Sequence, residues 1–363
     1  MKNICLFVDS LKGGGAERVV LNLASALTNM GHRVDIVVLG NGVDYCVEHI
    51  KYNIHILDIL NHKKYLTKKF KYKDLARITE EKVIEIGVKF DLFISNNVVT
   101  DKICQYIKVE NLYFCIHSSL LNNCKMKKVF ITKLLCQLKY SLLIKKLYRK
   151  KNIITVSKGV MKSMLSTGLK PKNIEYIYNP VNFLDIRKQA DEYVPVENNY
   201  IVHVGSFSRV KRHKFLIQAY KKSQVTQKLL LIGNFNTKHG RSCKKLVRDL
   251  GLEGQVIFKG FCPNPYPYIK NAKALVLSSE FEGLSMVLIE ALVLGVPVIS
   301  TSCTGPVEIL VEELSPFLSP VNSVEEFSKN IKKVIKNPPL ITDKFISKFD
   351  AEKKATQYLQ LCK

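Results

Sequence analysis

Two acidic residues, Glu282 and Glu290, lie eight positions apart in an otherwise largely apolar segment of the chain. Glu282 is followed by Gly283 at the expected turn between a strand and a helix, and Glu290 lies two turns further along that helix. A carboxylate in such an apolar surface is costly to bury unless a hydrogen-bond donor satisfies it. The two vicinal hydroxyls of a ribose can each donate one hydrogen bond to a carboxylate, so Glu290 is a candidate ribose ligand.

The position of Glu282 at the N-terminus of the same predicted helix suggests a neighbouring diphosphate, because the helix dipole and the free amides there attract anions. A simpler interpretation is that Glu290 pairs with a neighbouring lysine and that Glu282 merely begins the helix. From these two residues alone, both interpretations stay open.

A run of three glycines, residues 13–15, lies between the predicted strand Ile4–Asp9 and the predicted helix Ala16–Met30. Glycines let the backbone approach a phosphate, and the N-terminus of the helix supplies amide donors. The spacing is not that of a dinucleotide fingerprint, and residues 39–41 provide no acid after the second strand. We therefore do not expect a nicotinamide-dependent dehydrogenase.

Apolar runs alternate with helix-length segments along the chain, and the series starts a second time after Asn179-Pro180. Runs without polar alternation are typical of strands in a parallel sheet that is covered on both faces. The pattern predicts an α/β protein with two doubly wound, Rossmann-like domains facing each other across a cleft. The expected strands are Ile4–Asp9, Val34–Leu39, Leu92–Ser95, Leu112–Cys115 and Ile153–Val156, then Tyr200–Val204, Lys228–Ile232, Val256–Phe258, Ala274–Leu277 and Pro297–Ser300.

We expect the first domain over residues 1–181 and the second over residues 182–343, with a polar linker at Asp185–Asn199. The remaining residues, 344–363, show helical spacing over Lys344–Leu361. We expect this terminal helix to cross back to the first domain.

The chain is strongly basic, with 56 Lys and Arg residues against 31 Asp and Glu residues and a formal net charge of +25. Such a charge favours polyanions such as nucleic acid, an anionic membrane or phosphorylated ligands, although a lysine-rich soluble surface would give the same balance. Residues 125–151, the basic segment, hold ten Lys or Arg and no acid, interleaved with apolar residues at helical spacing. This segment predicts an amphipathic helix that lies on an anionic membrane surface, the alternative being a helix packed on its own domain with a solvated basic face. A smaller lysine cluster at positions 63, 64, 68, 69, 71 and 73 would extend the same surface.

The ten cysteines are scattered and form no C-x-x-C pair, a spacing that suits neither a zinc site nor a disulfide framework. The apolar run at the N-terminus ends at Asp9 and is too short for a signal-peptide core. No run of about 18 apolar residues is free of charge, so we expect no transmembrane helix. These features favour a cytoplasmic protein that is peripheral to the inner face of the cell membrane.

The spacing of Glu282 and Glu290 resembles the E-x7-E signature of the retaining glycosyltransferases of family 4, which have the GT-B fold. Further segments resemble the same family along most of the chain, and the combination is specific. They are Gly14-Gly15-Ala16-Glu17-Arg18, Ser157 with Asn179-Pro180-Val181, Val204-Gly205, and residues 303–310, which resemble the capsule and lipopolysaccharide branch.

The resemblance implies transfer of a sugar from a nucleotide-diphosphate donor, with a UDP-sugar favoured, to a saccharide acceptor with retention of the anomeric configuration. It implies that Glu290 holds the donor ribose and that Glu282 contacts the transferred sugar and its phosphate. Arg209 and Lys211 are implied to clamp the diphosphate, with Arg209 replacing the arginine that the family often has at the position of Ser206. The other implied donor-binding residues are Gly14, Gly15, Gly283, Leu284, Ser285 and Met286.

His117 follows the apolar run Leu112–Ile116, and the resemblance implies that it lies near the donor sugar and the acceptor. The alternative is a strand-end histidine that is hydrogen-bonded to a neighbouring loop. His203, inside a predicted strand, is expected to be a satisfied core residue. The chain has no Asp-x-Asp motif and no cluster with metal-ligand spacing, so we expect no metal and no cofactor. Arginine, lysine and helix amides would then neutralise the leaving group.

Two other functions compete with a glycosyltransferase. A non-catalytic polyanion-binding protein on a GT-B scaffold would explain the charge, and a sugar-nucleotide epimerase would share the architecture but explains the spacing of the two glutamates less well. No recognition helix or aromatic-stacking motif indicates nucleic acid, which we do not expect as a partner. The expected partners are a nucleotide-sugar donor, a saccharide or lipid-linked acceptor in surface polysaccharide biosynthesis, and the anionic membrane surface.

Overall fold

The computed structural model describes residues 1–42, 51–60, 72–118, 121 and 130–362. The chain divides into two compact units, one formed by Met1–Val181 with Phe349–Lys363 and the other by Asn182–Lys348. Positions 125–129 of the basic segment, and all of the smaller lysine cluster except Lys73, lie outside the described residues.

The first unit is built on a sheet of seven parallel strands in the order β3-β2-β1-β4-β5-β6-β7. The neighbours of β1 are β2 on one side and β4 on the other, and this reversal of strand order is where doubly wound sheets open a crevice at their carboxyl edge. The strands are β1 Asn3–Val8, β2 Arg33–Val38, β3 Asn53–Ile56, β4 Leu92–Asn96, β5 Leu112–Ile116, β6 Asn152–Thr155 and β7 Asn173–Tyr176.

The second unit repeats this plan with six parallel strands in the order β10-β9-β8-β11-β12-β13. Its reversal of order falls between β8 and β11, so the loops that follow these two strands share one carboxyl edge. The strands are β8 Tyr200–Val204, β9 Lys228–Ile232, β10 Val256–Gly260, β11 Ala274–Leu277, β12 Val298–Thr301 and β13 Leu318–Ser319.

Helices connect most of the strands, as parallel pairing requires. The first unit contains α1 Gly15–Asn29, α2 Tyr72–Glu85, α3 Val98–Cys104, α4 Phe130–Tyr148 and α5 Lys158–Leu165. The second contains α6 Phe183–Gln189, α7 His213–Ser223, α8 Lys238–Asp249, α9 Tyr266–Lys270, α10 Met286–Val293, α11 Pro306–Ile309 and α12 Val324–Lys336. The last helix, α13 Ala351–Leu359, packs against α1 in the first unit.

The two parallel sheets confirm the predicted α/β class with two Rossmann-like units. Three strands at sheet edges were not predicted: β3 and β7 because their residues are mostly half-buried or exposed and include polar side chains, and β13 because it has only two residues.

Two predicted segments have different bounds in the structure. The terminal helix begins at Ala351, because the side chain of Asp350 accepts a hydrogen bond from the Lys353 N–H and caps it, and short 3₁₀ turns precede it. The predicted linker at Asp185–Asn199 begins inside α6, whose first turn is capped by the side chain of Asn182.

Candidate active site

Glu282 lies in the loop between β11 and α10, where one of its carboxylate oxygens receives two hydrogen bonds. Oε1 of Glu282 lies 2.7 Å from Nζ of Lys211 and 2.6 Å from Oγ of Ser279. The side chains of Lys211 and Glu282 are 22% and 15% exposed, so the ion pair is partly shielded from water. The structure therefore joins Glu282, predicted as a catalytic residue, to Lys211, predicted as a donor-binding residue, and adds Ser279, which the sequence analysis did not identify.

Two backbone carbonyls of the loop that carries Lys211 also accept hydrogen bonds from residues that precede Glu282. The N–H of Glu280 donates to the carbonyl of Val210 at 2.8 Å, and Oγ of Ser278 donates to the carbonyl of Lys211 at 2.7 Å. These bonds fix Lys211 relative to Glu282 because each loop follows one of the two strands at the reversal of the second sheet. The position of the ion pair is thus set by one backbone hydrogen bond and by one hydrogen bond from the Ser278 side chain.

Gly305 holds a third loop close to the same place. A Cβ atom on Gly305 would lie 3.0 Å from the carbonyl oxygen of Gly283 and 3.0 Å from Cα of Leu284. Because both neighbours are backbone atoms, only glycine fits here without displacing the loop. The segment 303–310, noted for its resemblance to the capsule and lipopolysaccharide branch, therefore supports the Glu282 loop by direct packing.

The helix after Glu282 begins later than predicted. It starts at Met286, with Ser285 as the N-cap residue, so Gly283, Leu284 and Ser285 lie in the buried loop before it. Gly and Ser are poor residues for a helix interior, and Ser is favoured at the N-cap. The prediction that Glu282 stands at the helix N-terminus is therefore wrong by one turn.

Glu290 lies in the second turn of α10, buried with 9% of its surface exposed. The hydroxyl of Tyr266, in α9, donates to Oε1 of Glu290 at 3.3 Å. The tyrosine pairing was not predicted, since nothing in the sequence relates a tyrosine 24 positions away to this glutamate.

Arg209 occupies the same loop as Lys211, and its side chain is exposed. The pKa of His239 is lowered by burial and by the charges of Lys214 and Arg209. Ser206, which stands where the family often has an arginine, is exposed and lies 3.5 Å from the hydroxyl of Ser208. The structure brings Lys211 to Glu282, whereas the pairing of Arg209 with a diphosphate remains a prediction.

His203 is fully buried in β8 beneath this loop. Its Nδ1 donates to the carbonyl of Val276 at 2.8 Å, while Nε2 has no hydrogen-bond partner among the described residues. Burial lowers the pKa of His203 to about 4 and that of His213, which stacks on Phe207 at 4.0 Å, to about 2. The expectation of a satisfied core histidine is thus correct for one of the two ring nitrogens of His203.

In the first unit, the glycine loop leads directly into α1, which begins at Gly15 with Gly14 as its N-cap residue. The carboxylate of Glu17 lies against Gly14, at the position that a Cβ on this glycine would occupy. Desolvation raises the pKa of Glu17, and the nearby charge of Asp9 raises it further. A phosphate at Gly14 and Gly15 would have to displace this carboxylate, so their role in donor binding remains a prediction.

His117 follows β5 at the carboxyl edge of the first sheet and is half-buried. Its Nε2 lies 3.0 Å from Oδ1 of Asn96, and Nδ2 of Asn96 donates to the carbonyl of Phe7 at 3.2 Å. Burial lowers the pKa of His117 to about 4, so the ring is neutral near pH 7. Asn96 ends β4 and thus connects β1 to His117, a link that the sequence analysis did not identify.

Among the described residues, no group of three or more His, Cys, Asp or Glu side chains is arranged to hold a metal ion. None of the helices described is both long enough and apolar enough to cross a membrane.

With these features in place, comparison with known proteins defines the class. The model of the family described as "Glycosyltransferase Family 4" matches residues 13–183, and that of "Glycosyl transferases group 1" matches residues 185–351. Among solved structures, Anabaena Alr3699/HepE in complex with UDP and glucose has a TM-score of 0.79 at 18% identity, covering 99% of each chain. The fold is therefore the two-domain GT-B fold, as predicted.

Within that class, the chain belongs to the glycosyltransferases of family 4. It is 27% identical over 353 residues to N-acetylgalactosamine-N,N'-diacetylbacillosaminyl-diphospho-undecaprenol 4-alpha-N-acetylgalactosaminyltransferase of Campylobacter jejuni, covering 94% of this chain and 92% of that protein. It is also 29% identical over 188 residues to lipopolysaccharide 1,6-galactosyltransferase of Salmonella typhimurium, covering 50% of this chain and 52% of that protein.

Proposed function

We propose that this glycosyltransferase moves a sugar from a UDP-sugar to a lipid-linked saccharide, with retention of configuration, in the synthesis of a surface polysaccharide. The observation that carries the proposal is the junction of Lys211, Ser279 and Glu282, followed by the buried Glu290 on α10. In support, one relative is named for a diphospho-undecaprenol saccharide, and one structural neighbour is described with UDP and glucose.

Lys211 would bind the donor diphosphate without leaving Glu282. An ammonium has three N–H donors, and the contact with Oε1 of Glu282 uses one of them. As the bond between the sugar and the diphosphate breaks, negative charge grows on the leaving phosphate, and Lys211 with Arg209 and the amides of Gly283 to Met286 would stabilise it. In this proposal the chain's own cations and amides neutralise the leaving group, without a metal ion.

The two glutamates would hold the donor on either side of the diphosphate. Glu290 would accept hydrogen bonds from the two ribose hydroxyls, with Tyr266 keeping its carboxylate in place. Lys211 and Ser279 both contact the same oxygen of Glu282, Oε1. The other oxygen, Oε2, would therefore accept hydrogen bonds from hydroxyls of the transferred sugar. In the first unit, Gly14, Gly15 and His117 would face the sugar and the acceptor.

The helix α4 offers a surface for the membrane that would carry a lipid-linked acceptor. Four leucines of α4, here called the α4 leucine row, are between 56% and 61% exposed. Near the C-terminal end of the helix, by contrast, Ile144, Leu147 and Tyr148 are buried. The row comprises Leu134, Leu135, Leu138 and Leu142. Lysines 139, 145 and 146 accompany it, so apolar insertion and attraction to anionic headgroups would act together. We therefore propose that α4 binds an anionic membrane surface and that the protein is peripheral to the inner face of the cell membrane.

Turnover with defined donors tests the proposal. The protein is incubated with UDP-glucose, UDP-galactose, UDP-N-acetylglucosamine and UDP-N-acetylgalactosamine together with lipid-linked saccharides extracted from membranes, and UDP release is measured. We expect one donor to be consumed and the proton coupling of the new anomeric centre to match that of the donor.

The rival functions give different results in the same assay. Inversion at the anomeric carbon would contradict retention, and an epimerised UDP-sugar without UDP release would indicate an epimerase. Salt-sensitive nucleic-acid binding without any turnover would favour the polyanion-binding function. Glu282→Gln should lose most of the activity, while Glu280→Gln, a matched change two residues earlier in the same loop, should keep it.

A further inference from the structure

The contacts of Asn96 determine which ring nitrogen of His117 carries the proton. Nδ2 of Asn96 lies 3.2 Å from the carbonyl oxygen of Phe7, and a carbonyl only accepts hydrogen bonds, so this end of the amide must be the donor. The other end, Oδ1, therefore lies 3.0 Å from Nε2 of His117 and must accept. Nε2 is the nitrogen that bears the hydrogen.

The second ring nitrogen is then a hydrogen-bond acceptor. The imidazole is neutral near pH 7 and holds a single proton, which is already on Nε2. Among the described residues no hydrogen bond to Nδ1 is present, and the residue is only half-buried. A lone pair at this position can receive a hydrogen bond from a hydroxyl, but not from an ionised phosphate or carboxylate, which have no proton to give.

Asn96 is itself held firmly. It is 4% exposed, and its two hydrogen bonds connect the carbonyl of Phe7 in β1 to the histidine that follows β5. Rotation of the amide would place the carbonyl of Phe7 against Oδ1 and the N–H of His117 against Nδ2, losing both bonds. Because β4 lies between β1 and β5, the amide of Asn96 is held in one orientation and presents its oxygen to Nε2 of His117.

We propose that Asn96 is a positioning residue that keeps His117 in the Nε2–H tautomer, so that Nδ1 accepts a hydrogen bond from a saccharide hydroxyl during transfer. The inference deepens the proposed function and rests on it. It excludes phosphate and carboxylate groups as ligands of Nδ1 and assigns this position to a neutral, hydroxyl-bearing part of a substrate.

Nitrogen NMR of the full-length protein with ¹⁵N-labelled histidine tests the tautomer directly. The His117 signals are assigned by their loss in His117→Gln, and the long-range couplings between ring protons and nitrogens show which nitrogen is protonated. We expect the Nε2–H pattern in the wild type and a mixture of both tautomers in Asn96→Leu. An Nδ1–H pattern in the wild type would overturn the proposal.

Kinetics of the same variants test the consequence for transfer. Asn96→Leu should lower kcat about two- to tenfold, from the loss of half of the active tautomer up to the loss of the whole hydrogen bond. The Kd for UDP should be unchanged, because Glu290, Arg209 and Lys211, the predicted ligands of the ribose and the diphosphate, lie in the other unit. Asn96→Asp serves if Asn96→Leu does not fold: it keeps an acceptor for Nε2, but its negative charge should raise the pKa of His117, so Nδ1 should also be protonated as the pH falls and kcat should fall with it. Full turnover of an Asn96 variant that has lost the single tautomer would contradict the role.

The neighbouring Asn97 provides the matched control. It donates to Asp9 at 2.7 Å from a backbone with φ of 75°, a conformation that glycine also adopts, so Asn97→Gly should leave both the tautomer and kcat unchanged. If the wild type transfers no sugar at all, the proposed function fails separately, and the nitrogen spectra still confirm or contradict the fixed tautomer.

Discussion

Because of Asp101, the free energy of unfolding of the protein should fall as the pH rises. This carboxyl group is 1% exposed and accepts hydrogen bonds from the hydroxyls of Ser95 and Tyr148, both at 2.6 Å. Burial raises its pKa from 3.8 to about 8, although the two hydrogen bonds oppose the change. The folded protein therefore holds a proton on Asp101 at neutral pH that the unfolded chain has released.

The sign and the size of the effect follow from the two pKa values. Between about pH 4 and pH 8 the folded state binds one proton more than the unfolded state, so the free energy of unfolding decreases over this range and is flat on either side. The full pKa difference corresponds to an upper limit of about 6 kcal/mol. We expect about 2 to 3 kcal/mol to be observed, because water penetration and local relaxation lower the cost of a buried charge.

Asp101→Asn tests this reasoning, since the amide has nearly the same shape and does not ionise. Urea unfolding at pH 5 and pH 8 should show a smaller loss of stability in the variant than in the wild type, and the variant should be the more stable protein at pH 8. Asp249→Asn, at an exposed position in α8, is the control and should leave the pH dependence unchanged. An equal decline in the wild type and in Asp101→Asn would refute the assignment.

Three other variants probe the site and the membrane surface. Lys211→Met should weaken UDP binding about 10- to 100-fold in calorimetry, the value of a lost charge-assisted hydrogen bond, and unchanged affinity would contradict its role. Gly305→Ala should lower the free energy of unfolding by about 1 to 2 kcal/mol and also reduce turnover, since its Cβ would press on the backbone of the Glu282 loop. Leu138→Ser with Leu142→Ser should reduce binding to vesicles of anionic lipid at least about tenfold, whereas Leu184→Ser, a 78% exposed leucine of the second unit, should have no effect.

The central strands were predictable because each is a short apolar run buried on both faces, as in β1, where Ile4 to Val8 are fully buried. The strands at the sheet edges lack this signal, since β3 is half-buried or exposed throughout and β7 nearly so. The start of α10 was misplaced because helical spacing of apolar residues continues through Leu284, whereas the hydrogen bonds of Glu282 keep that residue in the loop.

The residues that carry charge could be identified from the sequence, but the residues that hold them in place could not. The spacing of Glu282 and Glu290 in a largely apolar segment identified the two glutamates, and the resemblance to the family identified Lys211. Ser279 and Tyr266 act through contacts that the tertiary fold creates, one from the end of the preceding strand and one from a separate short helix. Asn96 likewise depends on the neighbouring strands β1 and β5, which lie far from it in the chain.

The most direct test of the account is a calorimetric titration of UDP into the wild type, Glu290→Gln and Glu280→Gln. If Glu290 binds the ribose, Glu290→Gln should bind UDP about 30-fold more weakly, because a neutral amide oxygen replaces a charged acceptor for two hydroxyls. Glu280→Gln should bind as the wild type does. Equal affinity of all three proteins, or a wild type that does not bind UDP at millimolar concentration, would contradict the assignment of this glutamate to a nucleotide.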